Sequence, residues 1–345
     1  MDLLIISNAY PSKQKAYAGI FVINQYDELK KHLDVDFFYQ KRTFTKGLAS
    51  IMKYLVSYFR FIPFFFKKYK VIHVHFVSPL YLLAWVYKML RPKTKIVLTI
   101  HGLDTNDLGA PGTLGKLYRK AMAKNHSLIV VGKSLAEKVQ DVMGYGPDAI
   151  MSAGIDQTKF YNELPDPANR DIDFLFSGSF YEVKGVDLLI DVIKRQPHGS
   201  KLKFAFVGSG EYEAQIRALQ QHYNIEIYTN MKQPEMRAIY SRARFLTLLS
   251  RNEGFGLVLV EAMYCGTPVL VSNLEQFTQQ VTHGQNGYRM QEYTTDELER
   301  LMQKASELPD HEWLALSKAA SKSNQDQTLA HVCQELIKIY GLAPN

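Results

Sequence analysis

The chain has 345 residues, 46% of them hydrophobic and 22% charged, which allows two domains of ~150 residues each and excludes a disordered chain. The formal net charge of +7 is unevenly distributed. Residues 1–165 hold 23 Lys/Arg and 12 Asp/Glu, a net charge of +11, whereas residues 166–345 hold 18 and 22, a net charge of −4. Basic surfaces attract phosphorylated ligands, anionic lipid or nucleic acid, so such a partner is expected on the first half.

The cysteines and the apolar stretches predict where in the cell the protein is located. Cys265 and Cys333 form neither a disulfide framework nor a metal-ligand spacing, which predicts reduced thiols in a cytosolic protein. The N-terminal Met1–Ser7 lacks a basic leader and is predicted to be a buried strand rather than a signal peptide. Charged residues, histidines and prolines interrupt the apolar stretches 54–66 and 71–90. A spanning helix needs ~20 predominantly apolar residues, so no transmembrane anchor is predicted.

In the first half, nearly continuous apolar runs predict strands that are covered on both faces. The predicted strands are Leu3–Ser7, Val35–Tyr39, Val71–His75, Ile96–Thr99, Leu128–Val131 and Ile150–Met151. The predicted helices are Gly19–His32, Leu80–Leu90, Leu114–Asn125 and Ser134–Met143. Ser134, with Glu137 three residues later, is predicted to form a capping box at the start of its helix.

The second half repeats the alternation. The predicted strands are Phe174–Ser177, Lys203–Val207, Ile225–Tyr228, Phe245–Leu249 and Pro268–Val271. The predicted helices are Asp187–Arg195, Glu211–His222, Pro234–Ala243, Leu257–Cys265 and two C-terminal segments. Between the halves, the polar stretch 162–170 contains two prolines and is predicted to be the linker.

Alternating strands and helices predict an α/β protein with two Rossmann-like domains, each a doubly wound parallel sheet. The domains are predicted at 1–165 and 171–325, and the helix within 326–345 is expected to pack back toward the N-terminal domain. Two such domains face a central cleft, with the carboxyl ends of the strands directed toward it. This organisation suits an enzyme that binds one substrate on each domain.

The segment Glu253–Glu261 carries the strongest chemical pattern. A loop with Gly254 and Gly256 leads into a helix that starts at Leu257, and glycines allow a ligand to approach the backbone closely. The free amides at a helix start bind anions, while the two carboxylates can accept hydrogen bonds from ribose and hexose hydroxyls. On spacing alone, the same two carboxylates also fit an ordinary helix-start charge and a solvated face position.

The wider sequence around this segment resembles a known family. Arg-Asn-Glu253-Gly-Phe-Gly-Leu-Val-Leu-Val-Glu261-Ala-Met, followed by Cys-Gly-Thr-Pro-Val269, is similar to the signature of retaining glycosyltransferase family 4. The resemblance continues through Gly19, Thr-Ile-His101-Gly-Leu-Asp, Ser-Ala-Gly154-Ile-Asp, Lys184-Gly-Val-Asp-Leu-Leu and Phe-Val-Gly208-Ser-Gly. It implies the GT-B fold, in which the second of two Rossmann-like domains binds the donor.

The resemblance implies a role for each matching residue. Glu261 is expected to bind the donor ribose, and Glu253, with the backbone of Phe255, Gly256 and Leu257, the transferred sugar. His101 is expected at the anomeric centre, where it acts with Glu253 in catalysis. Lys184 and the Gly19 amide are expected to contact the diphosphate, and Asn230 and Met231 the nucleobase.

The resemblance also implies that no metal or other cofactor is needed and that the nucleotide sugar is a substrate. No Asp-x-Asp motif occurs at a matching place, and no metal site is predicted. Ser179 departs from the family pattern, which commonly has an arginine there. Another basic residue substitutes, or the Ser179 hydroxyl makes a weaker bond, or catalysis is slow. Loss of one charge-assisted bond to phosphate costs ~1.5–3 kcal/mol.

Four other features have structural interpretations. His73 and His75 alternate on an apolar strand and are interpreted as structural histidines rather than catalytic ones. The sequence Gly208-Ser-Gly210 is interpreted as a family turn rather than a dinucleotide fingerprint, because position 213 is Glu. Asn286-Gly287 predicts a turn, and Cys265 a buried packing residue.

The segment 46–70 interleaves eight aromatic residues with lysines and Arg60. It fits a core helix with a solvated basic edge, and it equally fits an interfacial surface that dips beside anionic headgroups. The second interpretation agrees with the charge excess of the first half and with the family resemblance, since related enzymes often use lipid-linked glycans made at the inner membrane face. Nucleic acid is not expected, because no nucleic-acid-binding fold accompanies the charge.

The resulting expectation is a cytoplasmic, metal-independent hexosyltransferase, peripheral at the inner membrane face in the interfacial interpretation. It takes a UDP- or GDP-linked sugar and a glycan or lipid-linked glycan acceptor, with retention, in surface polysaccharide biosynthesis. Two alternatives remain: a nucleotide-sugar epimerase or phosphorylase of the same fold, and a non-catalytic protein that binds nucleotide sugars.

Overall fold

The structure, a computed structural model, describes residues 1–12, 17–40, 49–102, 104–109, 112–122 and 126–344. The chain divides into two units. The first comprises Met1–Gly154 together with Leu329–Asn345, and the second comprises Ile155–Thr328. The chain therefore enters the second unit once and returns to the first through its last helix.

Strands and helices alternate through the described residues. The strands are β1 Leu3–Ser7, β2 Val35–Tyr39, β3 Val71–His75, β4 Lys95–Ile100, β5 His126–Val130, β6 Ala149–Ile150, β7 Ile172–Ser177, β8 Lys203–Val207, β9 Asn224–Tyr228, β10 Ala243–Leu248, β11 Val269–Val271 and β12 Gly287–Arg289. The helices are α1 Ile20–Leu29, α2 Ala49–Phe66, α3 Pro79–Leu90, α4 Thr105–Gly109, α5 Thr113–Met122, α6 Lys133–Met143, α7 Val186–Arg195, α8 Glu213–Leu219, α9 Gln233–Arg242, α10 Leu257–Tyr264, α11 Glu275–Thr278, α12 Thr295–Ser306, α13 Asp310–Lys322 and α14 Leu329–Tyr340.

The first unit contains a parallel sheet in the order β2-β1-β3-β4-β5-β6. Every residue of β1 and of β3 is buried, which explains why these strands are nearly continuous apolar runs in the sequence. The order reverses direction between β1 and β3. In open parallel sheets of this kind, ligands bind beyond the carboxyl ends of the strands at such a reversal.

Helix α14 belongs to the first unit. Its buried positions recur every three or four residues, the spacing of one helix face, and they are Leu329, Val332, Cys333, Leu336, Ile337 and Tyr340. This face lies in the same apolar cluster as Leu3, Ile5 and Val71. The last helix therefore completes the core that the first strands begin.

The second unit contains a parallel sheet in the order β12-β11-β10-β7-β8-β9. Counted from its own first strand, this is the order 3-2-1-4-5-6 of the dinucleotide-binding fold, with the reversal between β7 and β10. Successive side chains of β7 enter two different apolar clusters, Phe174 on one face and Leu175 on the other. Both units are thus Rossmann-like α/β domains, as predicted.

The stretch 162–170 lies inside the second unit. The reason is Arg170, a buried side chain whose guanidinium donates to the carbonyl oxygens of Ala243 (2.7 Å) and Cys265 (2.8 Å) and to Asn162 Oδ1 (2.9 Å). It also lies over the Trp313 ring, 4.8 Å from its centroid. Two prolines mark this stretch as irregular, but the buried arginine attaches it to the second domain.

The structure corrects three local predictions. Helix α6 starts at Lys133 with Gly132 as its N-cap, whose carbonyl accepts from Ala136 N, so the predicted capping box at Ser134 is wrong. The C-terminal region forms three helices rather than two, because α12 ends at Ser306 and a separate helix, α13, starts at Asp310 with Pro309 as its N-cap. The turn predicted at Asn286-Gly287 is present over residues 284–286, but Gly287 itself begins the short edge strand β12, which was not predicted.

Helix α2 covers part of the segment 46–70, of which residues 46–48 lie outside the described residues. One face is in the core: Phe61 is fully buried and packs edge-on against Phe38, with ring centroids 5.0 Å apart. Among the helices that the structure describes, none is both long enough and apolar enough to cross a membrane.

Candidate active site

In the second unit, the two strands that flank the reversal each lead into a loop with candidate residues. Strand β7 is followed by Gly178 and Ser179, and β10 is followed by the loop that carries Glu253. Ser179 is partly exposed. Because the carboxyl ends of parallel strands meet at one edge, the topology places these loops at the expected ligand-binding edge of the sheet.

Lys184 and Glu253 form an ion pair. Lys184 Nζ donates to Glu253 Oε2 over 2.7 Å, and the two side chains are 24% and 15% exposed. Ser250 Oγ donates to the same oxygen over 3.2 Å. The sequence predicted both residues for the site, and the structure brings them into direct contact. This pair joins the loop after β7 to the loop after β10.

The close approach of the two loops depends on Gly185. It has a φ of +71°, and a Cβ atom there would lie 2.0 Å from the carbonyl oxygen of Leu249 and 2.6 Å from the Tyr293 hydroxyl. Arg251 adds a second connection, since its guanidinium donates to both carboxylate oxygens of Asp187 at 2.7 and 2.6 Å. Lys184 is therefore held beside Glu253 by backbone packing and not only by charge.

The loop 253–256 leads directly into α10. Gly256, the N-cap of α10, has a φ of +83°. On the other side of the loop, Gln276 Nε2 donates to the Glu253 carbonyl (2.6 Å) and Gln280 Nε2 to the Phe255 carbonyl (2.9 Å). These buried amides orient the loop, and the sequence analysis missed both because nothing in their local pattern distinguishes them from solvated glutamines.

Helix α10 leaves one strip partly exposed. Leu257, Val258 and Glu261 are partly exposed, whereas Leu259, Val260, Ala262, Met263 and Tyr264 are buried. The spacing of Leu257 and Glu261 is one helical turn, so both side chains lie on the same face of α10, and the free amides of the first turn lie at its N-terminal end. A carboxylate and a helix N-terminus are therefore presented together on this unit.

Glu261 is linked to the strand β7 through a tyrosine. Buried Tyr240 donates its hydroxyl to Glu261 Oε2 over 3.1 Å and lies 3.3 Å from Ser177 Oγ. Although Glu261 is partly exposed, the surrounding protein desolvates its carboxyl group and raises the pKa to about 7, while the Tyr240 hydrogen bond opposes that rise. A carboxyl group with this pKa changes charge near neutral pH. Tyr240 lies 21 residues away in sequence, so no local pattern could have identified it.

The loops after β7 and β8 are in backbone contact. Gly178 N donates to the Val207 carbonyl and Phe180 N to the Ser209 carbonyl, both over 2.9 Å. A Cβ atom on Gly208 would lie 1.8 Å from the carbonyl oxygen of Gly178. Gly208 therefore serves close packing between two loops, which agrees with a turn rather than a dinucleotide fingerprint.

Asn230 and Met231 follow β9, the edge strand of the same sheet. Asn230 is exposed and has a φ of +54°, and Met231 packs partly buried against the apolar cluster that contains β7 and β10 residues. They lie at the carboxyl end of the sheet, two strands away from the loop that carries Ser179.

In the first unit, His101 follows β4 and its loop is held by Asp104. The carboxylate of Asp104 accepts from the amides of His101 (3.0 Å), Gly102 (2.8 Å) and Val77 (3.1 Å). The His101 ring contacts Phe21 and Phe76, with centroids 4.8 and 4.5 Å away. Burial lowers the pKa of His101 to about 3, so the ring is neutral at physiological pH.

Gly19 lies at the start of α1 with a φ of +69°. A Cβ atom there would lie 2.5 Å from the carbonyl oxygen of Ala9, in the loop that follows β1. Only glycine fits this approach between the loop and the helix. Gly19 is therefore beside the loop that follows β1, at the carboxyl end of the first sheet.

The two strand histidines differ. His73 bonds through Nδ1 to the Tyr340 hydroxyl and through Nε2 to Thr99 Oγ1, both over 2.7 Å, which agrees with its structural interpretation. His75 instead has its Nδ1 3.1 Å from His101 Nε2. Across the described parts of the chain, no group of three or more His, Cys, Asp and Glu side chains is arranged to hold a metal ion.

Two family models match the chain. The model of Glycosyltransferase Family 4 matches residues 20–156, and that of Glycosyl transferases group 1 matches residues 159–323. The first match lies in the first unit apart from its last two residues, and the second lies in the second unit. Solved structures share the whole fold. HepE of Anabaena, in complex with UDP and glucose, has a TM-score of 0.74 at 14% identity and covers 99% of this chain and 100% of its own.

This chain is a GT-B glycosyltransferase. Sucrose-phosphate synthase of Thermosynechococcus elongatus is a second structural match to this glycosyltransferase, with a TM-score of 0.76 at 16% identity and coverage of 99% and 98% of the two chains. At these identities the structural matches establish the fold alone.

Three curated relatives are similar in sequence to this glycosyltransferase. An uncharacterized glycosyltransferase of Methanocaldococcus jannaschii is 26% identical over 83% of this chain and 84% of its own. The N-acetyl-alpha-D-glucosaminyl L-malate synthase of Bacillus anthracis is 26% identical over 63% and 60%. The O-antigen biosynthesis glycosyltransferase WclY of Escherichia coli is 24% identical over 79% and 81%.

Proposed function

We propose that this glycosyltransferase is a retaining family 4 enzyme that transfers a hexosyl unit from a nucleotide-diphosphate sugar to a glycan or lipid-linked glycan. The observation that carries the proposal is the Lys184–Glu253 pair beside the N-terminus of α10, whose partly exposed face carries Glu261. A cation, free helix amides and two carboxylates match the diphosphate, the sugar and the ribose of such a donor.

The charge of the leaving group explains the residue types. Departure of the nucleotide builds negative charge on the diphosphate, and preorganised donors that face this charge stabilise the transition state. Lys184, with the amides of Gly19 and of the α10 start, would supply them without a metal or another cofactor. Ser179 would offer a hydroxyl bond where an arginine is usual, at a cost of ~1.5–3 kcal/mol relative to a charged donor.

The other predicted residues complete the donor site in this proposal. The backbone of Phe255, Gly256 and Leu257 would contact the sugar with Glu253, while Asn230 and Met231 would contact the base. His101 would hydrogen-bond the sugar at the anomeric carbon. UDP-sugars are the first donors to test, because HepE, which shares the fold, is described in complex with UDP and glucose.

Surface polysaccharide biosynthesis is the proposed process. The similarity to WclY, an O-antigen biosynthesis glycosyltransferase, over 79% of this chain supports it. In this process the acceptor is a growing glycan or lipid-linked glycan, and the enzyme is proposed to be cytoplasmic.

A donor screen tests the nucleotide-sugar assignment. A ligand that binds only the folded state raises the apparent stability with the logarithm of its concentration relative to Kd, so we expect a UDP- or GDP-sugar to raise Tm in wild type. The same sugar should give little or no shift in Glu261→Ala. If no nucleotide sugar shifts Tm, the donor assignment is wrong.

Product analysis then separates the alternatives. With donor and a lipid-linked or soluble glycan, NMR of the product should show the anomeric configuration of the donor. Conversion of the donor without acceptor indicates an epimerase, and phosphate-dependent release of sugar phosphate indicates a phosphorylase. Donor binding without any product indicates a non-catalytic protein, the outcome that the Ser179 departure favours.

We also propose that α2 contacts an anionic membrane surface. Its outer face presents an exposed apolar strip whose members recur at helical spacing, namely Met52, Leu55, Val56, Phe59, Ile62 and Phe66. Phe59 is 72% exposed and Phe66 80%. Exposed strips of this length on soluble domains mark interaction surfaces, and a basic helix flank favours anionic headgroups.

The charges around α2 are only partly available for lipid. Lys67 pairs with Asp36 (2.7 Å) and Lys70 with Asp2 (2.8 Å), whereas Lys68 is exposed and Lys53 lies over the Tyr54 ring. We therefore expect the apolar strip to contribute most of the affinity and the lysines to give a modest dependence on salt.

Flotation with anionic phosphatidylglycerol vesicles tests this surface. Wild type should float with the vesicles, and Phe59→Ser should reduce the floated fraction. Leu314→Ser is the matched control, because Leu314 is an exposed apolar residue in the second unit. Equal flotation of wild type and Phe59→Ser would return α2 to the interpretation as a core helix.

A further inference from the structure

His75 is buried between the sheet and the loop that carries His101. Its side chain is 1% exposed, and its Nδ1 lies 3.1 Å from His101 Nε2. Its other ring nitrogen, Nε2, is buried and has no hydrogen-bond partner among the residues that the structure describes. His73, two residues earlier on the same strand, has both ring nitrogens bonded.

The unpaired Nε2 of His75 indicates which of the two rings donates the hydrogen bond between His75 and His101. Burial lowers the pKa of His75 well below 6.5 and that of His101 to about 3, so both rings are neutral and each carries one proton. If His101 donated to His75, the proton of His75 would be on Nε2 as a buried N–H without an acceptor. Unpaired buried N–H groups are rarer than unpaired acceptors. The favoured arrangement has His75 Nδ1–H donating to His101 Nε2.

The surroundings hold His101 in a single position. Asp104 accepts hydrogen bonds from the His101 and Gly102 amides, which fixes the backbone. Phe76, which packs against the ring, adopts a φ of +75° that non-glycine residues rarely adopt. Such strain persists where the surrounding structure over-determines the conformation, and it is concentrated at functional sites.

We propose that His75 is a positioning residue that fixes the tautomer and the ring orientation of His101. With its Nε2 accepting from His75, His101 carries its proton on Nδ1 and offers that N–H to the transferred sugar. This role rests on the proposed function, in which His101 contacts the sugar. It assigns His75 to the site although no part of the ligand needs to touch it.

Histidine NMR on the full-length wild-type protein tests the tautomer without any substrate. With ¹⁵N-labelled histidine, His101 should show a protonated Nδ1 and an unprotonated Nε2, and His75 the same pattern. Spectra of His75→Asn and His101→Ala assign the signals. A His101 ring protonated at Nε2 overturns the proposal, whatever the enzyme's substrate.

Kinetics test the positioning role. His75→Leu keeps an apolar core but removes the donor, so kcat with the UDP-sugar selected by thermal shift should fall about 10- to 100-fold, the usual effect of losing an orienting partner. KM for that sugar should change little. His75→Asn, whose side-chain amide can replace Nδ1–H, should recover most of kcat.

His73→Asn is the control for a purely structural effect. It disturbs an equally buried histidine of the same strand, and it should lower Tm while kcat of the folded protein stays close to wild type. If His101→Ala lowers kcat but His75→Leu does not, or if Asn and Leu at position 75 behave alike, the positioning role is wrong. If His101→Ala has no effect on transfer, the proposed function has failed instead.

Discussion

Lys184 Nζ donates to Glu253 Oε2 over 2.7 Å, although the two residues are 69 positions apart in sequence. The pair joins the loops that follow β7 and β10, the two strands on either side of the sheet reversal. Without a ligand, the carboxylate neutralises the cation. In a bound complex, Lys184 would contact both a phosphate of the nucleotide sugar and Glu253. Substitution of either residue should therefore change the binding of that ligand.

Substitution of Lys184 should reduce turnover more than stability. Lys184→Ala removes a charged donor to the leaving group, which contributes about 1.5–3 kcal/mol, so kcat should fall about 10- to 100-fold. A partly exposed ion pair contributes only ~0–1 kcal/mol to folding, so Tm should change little. Steady-state kinetics and thermal unfolding measure the two effects. Lys194→Ala is the control, since Lys194 pairs with Asp191 on the exposed face of α7; equal kcat in the two variants would exclude a catalytic role for Lys184.

Donor affinity should depend on the ionisation of Glu261. Burial raises its pKa to about 7, and ribose hydroxyls donate better to the ionised carboxylate. Affinity for a UDP-sugar should therefore rise about 5- to 10-fold between pH 6 and 8, following the ionised fraction. Calorimetry at three pH values measures it. Glu261→Gln should bind the UDP-sugar more weakly, with an affinity that does not change with pH. A wild-type affinity that is equally independent of pH would contradict the assignment of Glu261 to the donor ribose.

The same carboxyl group should affect stability in the opposite sense. Its pKa in the folded state, about 7, is above the ordinary value of 4.5, so the folded protein binds this proton more tightly than the unfolded chain. The contribution to stability is fully present below pH 4.5 and is lost as the pH rises through about 7. Urea unfolding of wild type should therefore lose stability across this window relative to Glu261→Gln.

Gly185 should be intolerant of a side chain. In Gly185→Ala, a strained backbone is combined with a Cβ atom 2.0 Å from the Leu249 carbonyl, at an expected cost of about 2–4 kcal/mol. Gly199→Ala is the matched control, because Gly199 also has a positive φ (+82°) but nothing within 4 Å of the added atom. It should lose only about 1–2 kcal/mol in urea unfolding. Donor binding should weaken in the first variant alone; equal losses in both would exclude the steric argument.

Arg170 should be necessary for the second unit. Arg170→Met removes the guanidinium that donates to the buried carbonyls of Ala243 and Cys265, at a total cost of about 3–5 kcal/mol for the buried acceptors that lose a donor. Arg195→Met is the control, since this arginine is at the surface and should affect stability little. Chemical unfolding monitored by fluorescence measures both. A small loss in Arg170→Met would mean that stretch 162–170 behaves as a linker after all.

Much of the fold could be predicted because the strands are buried on both faces. The bounds of β1, β2, β3 and β8 were predicted residue for residue, since their runs are short, largely apolar and flanked by polar residues. Strand β12 was not, because three edge residues are too few to produce a pattern. The start of α6 was missed because its cap is the Gly132 backbone, for which the sequence offers no side-chain signal.

The sequence predicted individual residues of the candidate site but not the contacts that position them. The family pattern singled out Lys184, Glu253, Glu261 and His101, whose roles stay predictions. The residues that support them are scattered along the chain. Tyr240 reaches Glu261 from the preceding helix, and Gln280 holds the Phe255 carbonyl from beyond α11. Each is an ordinary residue in its own local sequence.

The sequence by itself determined the class of the fold, two alternating α/β domains, because hydrophobic periodicity depends on neighbours within a few residues. It also singled out Glu253–Glu261 as the segment predicted to bind a nucleotide sugar, a role that stays a prediction. Only the tertiary structure decided that Lys184 pairs with Glu253, that His75 contacts His101, and that Arg170 fixes the stretch 162–170 within the second unit. Those contacts arise from the order of strands in a sheet and from burial, which bring together residues that no local pattern relates.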